Sequence, residues 1–265
     1  MNNTKVGYGI LCFDTAEFLD RIISEIKDLC YCIVIGVPER SFFNGSIHPK
    51  VLSGINKVAK KHDVTMIRLK VNCSYSSNEA RQFETKARND ILDYLENAGC
   101  THSMVADSDE IYTHKDFEEG VRKVIDEDID VSYCHYVNYY KDTCYEMQSF
   151  DSFVPFLCKA RFRYKYKQQL SLSVDLSRRL GIQPMEIIND RWIDITMHHM
   201  SWVRENIYNK MSCWTSKNYY AKSEISECIK FYRSFERPQE DMFYVRVPFY
   251  PKNVKCKRIR RKITL

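Results

Sequence analysis

Four short apolar runs alternate with helix-periodic segments over the first 110 residues, and this alternation constrains the fold more than any other feature of the chain. Residues 6–13 read as a strand, followed by a helix with Phe18, Ile22, Ile23 and Ile26 at helical spacing. Residues 32–37 form a continuous apolar run of the kind found in strands buried on both faces. A second helix ends near His62, with Val51, Ile55, Val58 and Ala59 on one face, and a third strand spans 64–71. A long helix follows, capped by Ser76, Ser77 or Asn78 and stopped by Gly99, with Phe83, Ala87, Ile91, Leu95 and Ala98 as its inner stripe. The fourth strand, Met104, Val105 and Ala106, ends abruptly in Asp107-Ser108-Asp109-Glu110. Strand and helix in strict alternation predict an α/β fold with a mostly parallel, Rossmann-like central sheet flanked by helices. Ligands of such sheets bind beyond the carboxyl ends of the strands, where Asp107 and Asp109 are expected.

The second half is less regular. A helix over 116–126, strands over 130–140, 153–166 and 192–200, and a long amphipathic helix from Ser201 with Val203, Ile207, Met211 and Trp214 facing inward are expected. No Gly-, Ser- or Pro-rich linker interrupts the chain. Residues 1–222 are therefore read as one catalytic domain, and 223–265 as a helical and basic tail packed on it. At 44% apolar and 28% charged residues, disorder and repeat architectures are excluded. The longest apolar stretch, 30–37, is too short to span a membrane, and the N-terminal segment shows no secretory signal pattern. Eleven cysteines, an odd number without repeated spacing, read as reduced thiols of a cytoplasmic protein. Cys30 and Cys32 read as core residues, because no second pair completes a zinc site.

Two carboxylates one residue apart at the tip of a buried strand need a cation. A hard divalent ion with oxygen ligands supplies it and keeps positions open for substrate phosphates. A polar turn with Asp107 or Ser108 capping the next element is the plainer alternative. In His198-His199-Met200-Ser201-Trp202-Val203-Arg204, adjacent histidines point to opposite sides of a strand, so at most one meets such a metal. Imidazole with carboxylate oxygens suits Mn²⁺, with Mg²⁺ the second choice. Arg204 is a candidate phosphate contact or a solvated helix residue. The helix segment Glu84-Thr85-Lys86-Ala87-Arg88-Asn89 either presents Lys86 and Arg88 to a diphosphate or forms an exposed Glu84–Arg88 pair. In Val174-Asp175-Leu176-Ser177-Arg178-Arg179, the arginines are candidate phosphate contacts and Asp175 a candidate base.

The segments ETKARNDILDYLENAGCTHSMVADSDEIY and HHMSWVR together resemble nucleotide-sugar glycosyltransferases of the GT-A fold, over roughly residues 5–210. VDLSRR is similar to the V-D-P-T-R stretch of small viral and bacterial members, with Leu176 and Ser177 in place of Pro and Thr, and the first strand with Asp14 and Glu17 resembles their nucleotide-side strand. The resemblance implies a metal ligand in Asp109, a third protein ligand in His199 with His198 as the weaker candidate, and in Asp107 a contact to the ribose or indirectly to the metal. It implies donor-binding roles for Lys86, Arg88, Arg178 and Arg204, and a UDP-sugar as the donor. The catalytic base stays open among Asp175, Glu186, Asp190 and Asp194.

The acceptor is open as well. The run Lys252, Lys255, Lys257, Arg258, Arg260, Arg261, Lys262 has no acid, and the net charge is +5. It reads either as a solvated tail or as a contact for a polyanion. DNA with hydroxymethylated bases, as in some large phages, fits slightly better than a surface glycan. Trp202, Lys257, Arg258 and Arg260 are then the acceptor contacts, with Tyr139, Tyr140 or Trp214 as further stacking candidates. Nucleotidyl transfer and a non-catalytic binding module are the alternatives. The segment Gly7-Tyr8-Gly9-Ile10 lacks the form of a phosphate loop, and the intact acidic and histidine blocks argue for catalysis.

Overall fold

The computed structural model describes residues 4–148, 153–168, 174–181, 188–215, 217–238, 240–245, 247 and 254–259. The alternation read from the sequence is present. Strand β1 (Val6–Leu11) leads to helix α1 (Leu19–Ile26), β2 (Cys32–Pro38), α2 (Pro49–His62), β3 (Thr65–Leu69), α3 (Ser77–Asn97) and β4 (His102–Asp107). These strands lie parallel in the order β3-β2-β1-β4. Alternate residues of each strand go to opposite faces. Tyr8, Ile10, Ile33, Ile35, Met104 and Ala106 pack with α1 and α2, whereas Val34 and Val105 pack under α3. The α3 face is held unusually close. A Cβ on Gly9 would stand 2.3 Å from Ile91 Cγ2, and one on Gly36 2.5 Å from Ile91 Cδ1. Glycine at both positions lets α3 sit on the sheet, which sets Arg88, one turn before Ile91, at the carboxyl ends of the strands.

Beyond β4 the sheet becomes mixed. A two-residue strand β5 (Glu110–Ile111) and helix α4 (His114–Asp126) precede β6 (Val131–Tyr140), β7 (Asp142–Met147), β8 (Phe153–Lys159) and β9 (Asp190–Trp202). β8 runs antiparallel between β4 and β6; β6 and β7 form a hairpin through Lys141 at φ 65°. β9 lies parallel to β6 on one side and antiparallel to β5 on the other.

The long helix expected from Ser201 is not formed. β9 continues through Trp202, whose register partner is Tyr140, and helix α5 (Ile207–Cys213) starts only at the Asn206 cap. Strand pairing with β6 overrides the helical spacing of Val203 and Ile207. After α5, helix α6 (Lys222–Arg233) leads to a hairpin of β10 (Met242–Val245) and β11 (Val254–Arg258), and β11 pairs with β7. The C-terminal segment thus extends the same sheet: Val254 and Cys256 turn inward and Lys255 and Lys257 outward. None of the helices among the described residues is long and apolar enough to cross a membrane.

Candidate functional site

The two sequence blocks separated by some ninety residues meet through one short strand pairing. β4 is buried along Ser103–Ala106 and stops where the chain turns at Ser108 and Asp109. β5 then pairs with β9 so that Glu110 lies opposite His199 and Ile111 opposite His198. The Met200 N–H donates to the Asp109 carbonyl at 2.7 Å, and the Asp107 N–H donates to Glu110 Oε2 at 2.9 Å. These bonds satisfy backbone groups that the turn would otherwise leave buried and unpaired.

A network of ion pairs surrounds the strand end. Arg88 reaches Glu84 at 3.1 Å and Asp107 at 2.8 Å, and Arg178 binds Asp107 and also Glu110, the latter at 2.7 Å. Arg204 joins Asp14, at 2.8 Å, to Asp109, and Lys210 of α5 reaches Asp109 Oδ2 at 3.0 Å. Four cations, Arg88, Arg178, Arg204 and Lys210, therefore face five carboxylates, Asp14, Glu84, Asp107, Asp109 and Glu110. A cavity of about 570 Å³ opens on this network. Its charged side carries Arg81, Glu84, Arg88, Asp107, Asp175 and Arg178, while Tyr136, Met147, Phe153 and Trp202 line the β6–β9 side. Among the described lining residues, the β6–β9 side has no Lys or Arg.

His199 is held from two directions. Its Nδ1 stands 2.7 Å from Asn138 Oδ1, and its Nε2 faces Asp109 Oδ1 at 3.7 Å. Burial drives the imidazole down to about 4, so the ring is neutral near neutral pH. For Asp109 and Asp107, burial works against ionisation. Lys210 and Arg204 on the first, and Arg178 and Arg88 on the second, outweigh it and hold both below the ordinary carboxylate range. With the ring's one proton on Nδ1, toward Asn138 Oδ1, Nε2 and Asp109 Oδ1 would present lone pairs to each other. Asp109 and His199 would hold a divalent cation there, which would supply positive charge to a diphosphate. No three His, Cys, Asp or Glu side chains converge on one point among the described residues. Two protein ligands suffice for a cation that completes its shell with phosphate oxygens and water. The donor set fits Mn²⁺.

Glu110 behaves differently from the aspartates. Burial, only partly offset by Arg178 and reinforced by Asp107 and Asp109, pushes its carboxyl up to about 7 from an ordinary value of 4.5. The folded protein thus holds a proton that the unfolded chain has released, and the stabilisation is complete below the unfolded value and lost as pH rises through the folded one. With divalent metal chelated, Glu110 alone is expected to remove roughly 3 kcal/mol between about pH 5 and pH 8, partly offset by His199, whose lowered value makes the fold gain stability as pH rises through the unfolded imidazole's range. Urea unfolding of wild type and Glu110→Gln across that range isolates the Glu110 share as the difference between their slopes; equal slopes would assign the loss to other groups.

The structure brings Asp107, Asp109, His199, Arg88, Arg178 and Arg204 together, and Trp202 lines the same cavity. It does not bring the remaining predicted site residues there. Lys86 points outward to Asp90 at 2.7 Å, because the charged side of α3 divides: Arg88 is buried at 1% exposure while Lys86 lies on the solvent face. His198, on the opposite face of β9 from His199, has its Nδ1 2.9 Å from the Tyr139 hydroxyl. Asp190 and Asp194 are exposed on β9, nine and five residues before His199, about 30 and 17 Å along a strand. Only Asp175 of the described base candidates lines the cavity, its Oδ1 accepting the Ser177 N–H at 2.8 Å and hydroxyl at 2.6 Å. Glu186 and Arg260 lie outside the described residues. Lys257 and Arg258 are exposed on β11 and do not line the cavity. Tyr139 and Tyr140 are buried aromatic core, and Trp214 lines the cavity while stacked on Tyr220. Two site residues carried no sequence signal, Lys210 and Asn138. Asn138 shares its aromatic strand with Ser132 and His135, so its polarity alone does not mark it out.

No protein-family model and no curated protein matches the chain. Among solved structures, the crystal structure of S. aureus TarS shares 14% identity over 51% of this chain and 22% of that one, with a TM-score of 0.37. The fragment of TarS in complex with UDP-GlcNAc shares 13% over 51% and 35%, with a TM-score of 0.36. The mannose-1-phosphate geranyltransferase from Thermus thermophilus shares 8% over 57% and 50%, with a TM-score of 0.31. The chain thus spans between about a fifth and a half of these proteins, and the likenesses are too distant to bear on its chemistry.

Proposed function

We propose that the protein is a metal-dependent glycosyltransferase, moving a sugar from a nucleoside diphosphate donor, with UDP-sugar favoured, to an acceptor hydroxyl. The observation that carries this reading is the facing of Asp109 Oδ1 and neutral His199 Nε2 at 3.7 Å on the wall of a cavity. Charge supports it. The four cations around the strand end are already engaged by carboxylates, so a diphosphate entering the cavity requires positive charge from elsewhere. Mn²⁺, or Mg²⁺, held by Asp109 and His199 would supply that charge and stabilise the departing nucleoside diphosphate.

The chain's own residues do the rest. Arg88 and Arg178 fix the Asp107 carboxylate from both sides, which leaves it rigid at the mouth of β4 for a donor hydroxyl. Lys210 lines the cavity on a flexible stem and would turn from Asp109 to a phosphate oxygen if a cation took its place on that carboxylate. Asp175 is the proposed base. Partial desolvation at the cavity wall opposes its ionisation, but Arg81 and the Ser177 hydrogen bonds hold the carboxyl of this half-exposed side chain below the usual range, so it is ionised and able to accept the acceptor's proton.

Purified protein is expected to hydrolyse or transfer from UDP-sugars only with Mn²⁺ or Mg²⁺ present. Asp175→Asn should lower transfer about a hundredfold while leaving metal binding intact. Turnover unaffected by chelation would sink the proposal. The acceptor suggested by the basic C-terminal run, DNA with hydroxymethylated bases, is read in the same assay. Transfer to DNA through Lys257 and Arg258 should weaken steeply between 50 and 200 mM salt, on the order of 1 log unit per phosphate contact per tenfold salt. Transfer to a neutral glycan should not.

A further inference from the structure

We infer that Asn138 is a positioning residue for the metal ligand His199: it selects the ring tautomer that leaves Nε2 bare and aimed at Asp109. The inference rests on the metal-dependent reading above but is argued from the sheet itself. β6, β9 and β5 lie side by side, and their registers place Asn138, His199 and Glu110 in one row across three strands. Residues directly opposite each other in a sheet share a face, and all three of these line the cavity. On that face Asn138 Oδ1 meets His199 Nδ1 at 2.7 Å. An amide oxygen is only an acceptor, so Nδ1 must carry the proton, and a neutral imidazole then has its lone pair on Nε2.

The ring plane is fixed as well. Tyr136, two residues before Asn138 on the same face of β6, meets the His199 ring edge to face, with centroids 5.7 Å apart and planes at 90°. The imidazole is thus held by a hydrogen bond at one nitrogen and by an aromatic ring at its side. Rotating it away from Asp109 would break both contacts. With the other tautomer, the Nε2 hydrogen would point at Asp109 and block a cation from that position. Partners that orient a ligating imidazole through its second nitrogen are worth about 10- to 100-fold in metal affinity.

The test has two readouts. In ¹⁵N-histidine NMR of the metal-free wild type, the His199 ring, assigned by comparison with His199→Gln, should show Nδ1 protonated and Nε2 bare. The Nε2–H form there would overturn the inference, whatever the metal does. Mn²⁺ binding in the presence of UDP, followed by electron paramagnetic resonance of the free ion, is the second. Asn138→Leu should lose about 10- to 100-fold in Mn²⁺ affinity, and Asn138→Asp, which keeps an acceptor for Nδ1–H, should recover it to within a few-fold of wild type. Equal affinity in all three proteins would overturn the positioning role. Absence of Mn²⁺ binding in wild type would instead strike the metal reading, with the tautomer still settled by the spectrum.

Discussion

Asp109→Ala is expected to lower donor turnover by roughly a thousandfold at saturating Mn²⁺, with weaker Mn²⁺ binding measured directly. Asp109 is the carboxylate that faces His199, and its other oxygen is the common partner of Arg204 and Lys210. Removing it takes away a proposed metal ligand and leaves two cations in its place. Divalent metal is then both less well held and repelled. Because uncompensated buried charge also destabilises, Asp109→Asn serves as the volume-matched companion and circular dichroism confirms the fold. The two substitutions should agree in their loss of turnover. Turnover within tenfold of wild type in the folded Asn variant would remove Asp109 from the chemistry.

The largest effect on stability is expected at Arg204. Its guanidinium joins Asp14 of the β1 end to Asp109 of the β4 end at 1% side-chain exposure. Its backbone is tied to α6, since the Arg204 N–H donates to the Tyr232 hydroxyl at 3.2 Å and that hydroxyl donates to the Arg204 carbonyl at 2.8 Å. Arg204→Met would leave the buried Asp109 with Lys210 as its cation and deprive the half-buried Asp14 of its partner. Breaking a buried pair from one side costs about 3–5 kcal/mol, because the partner charge stays behind. For a chain of this size that is a Tm lower by roughly 10 °C. Lys86→Met is the control: its pair with Asp90 is exposed, and a change within about 0.5 kcal/mol is expected. A similar small change at Arg204 would mean that water reaches the pair.

The parallel half of the fold was legible because it is written in local periodicity. Short, β-branched apolar runs such as Ile33–Val37 in β2 have the length and composition of strands buried on both faces, and α3 carries its inner stripe from Ala80 to Leu95. The α5 region shows where periodicity fails. Val203, Ile207 and Met211 have helical spacing, yet residues through Trp202 extend β9, because pairing with β6 up to Tyr140 carries the strand past the point where a helix would start. The basic C-terminal run also reads differently once folded. Val254 and Cys256 alternate with Lys255 and Lys257, a strand pattern obscured by the surrounding charge.

The acidic turn and the histidine block are each visible in the sequence as types of residue: two carboxylates after a buried strand, and two histidines near a strand end. Which residues face one another is not. Side chains of a strand alternate between faces, so choosing His199 over His198 needs the register of β9 against β5 and β6, and register is a long-range pairing. The same holds for Arg88 over Lys86, decided by how closely glycines at 9 and 36 let α3 approach, and for Asn138, whose role exists only through its neighbour across the sheet. The sequence by itself determined the α/β alternation and the chemistry available at the end of β4, because both depend on neighbours a few residues away. Only the tertiary structure decided the partners of each charge, because ion pairs and hydrogen bonds form between side chains that strand register and helix packing bring within about 3 Å.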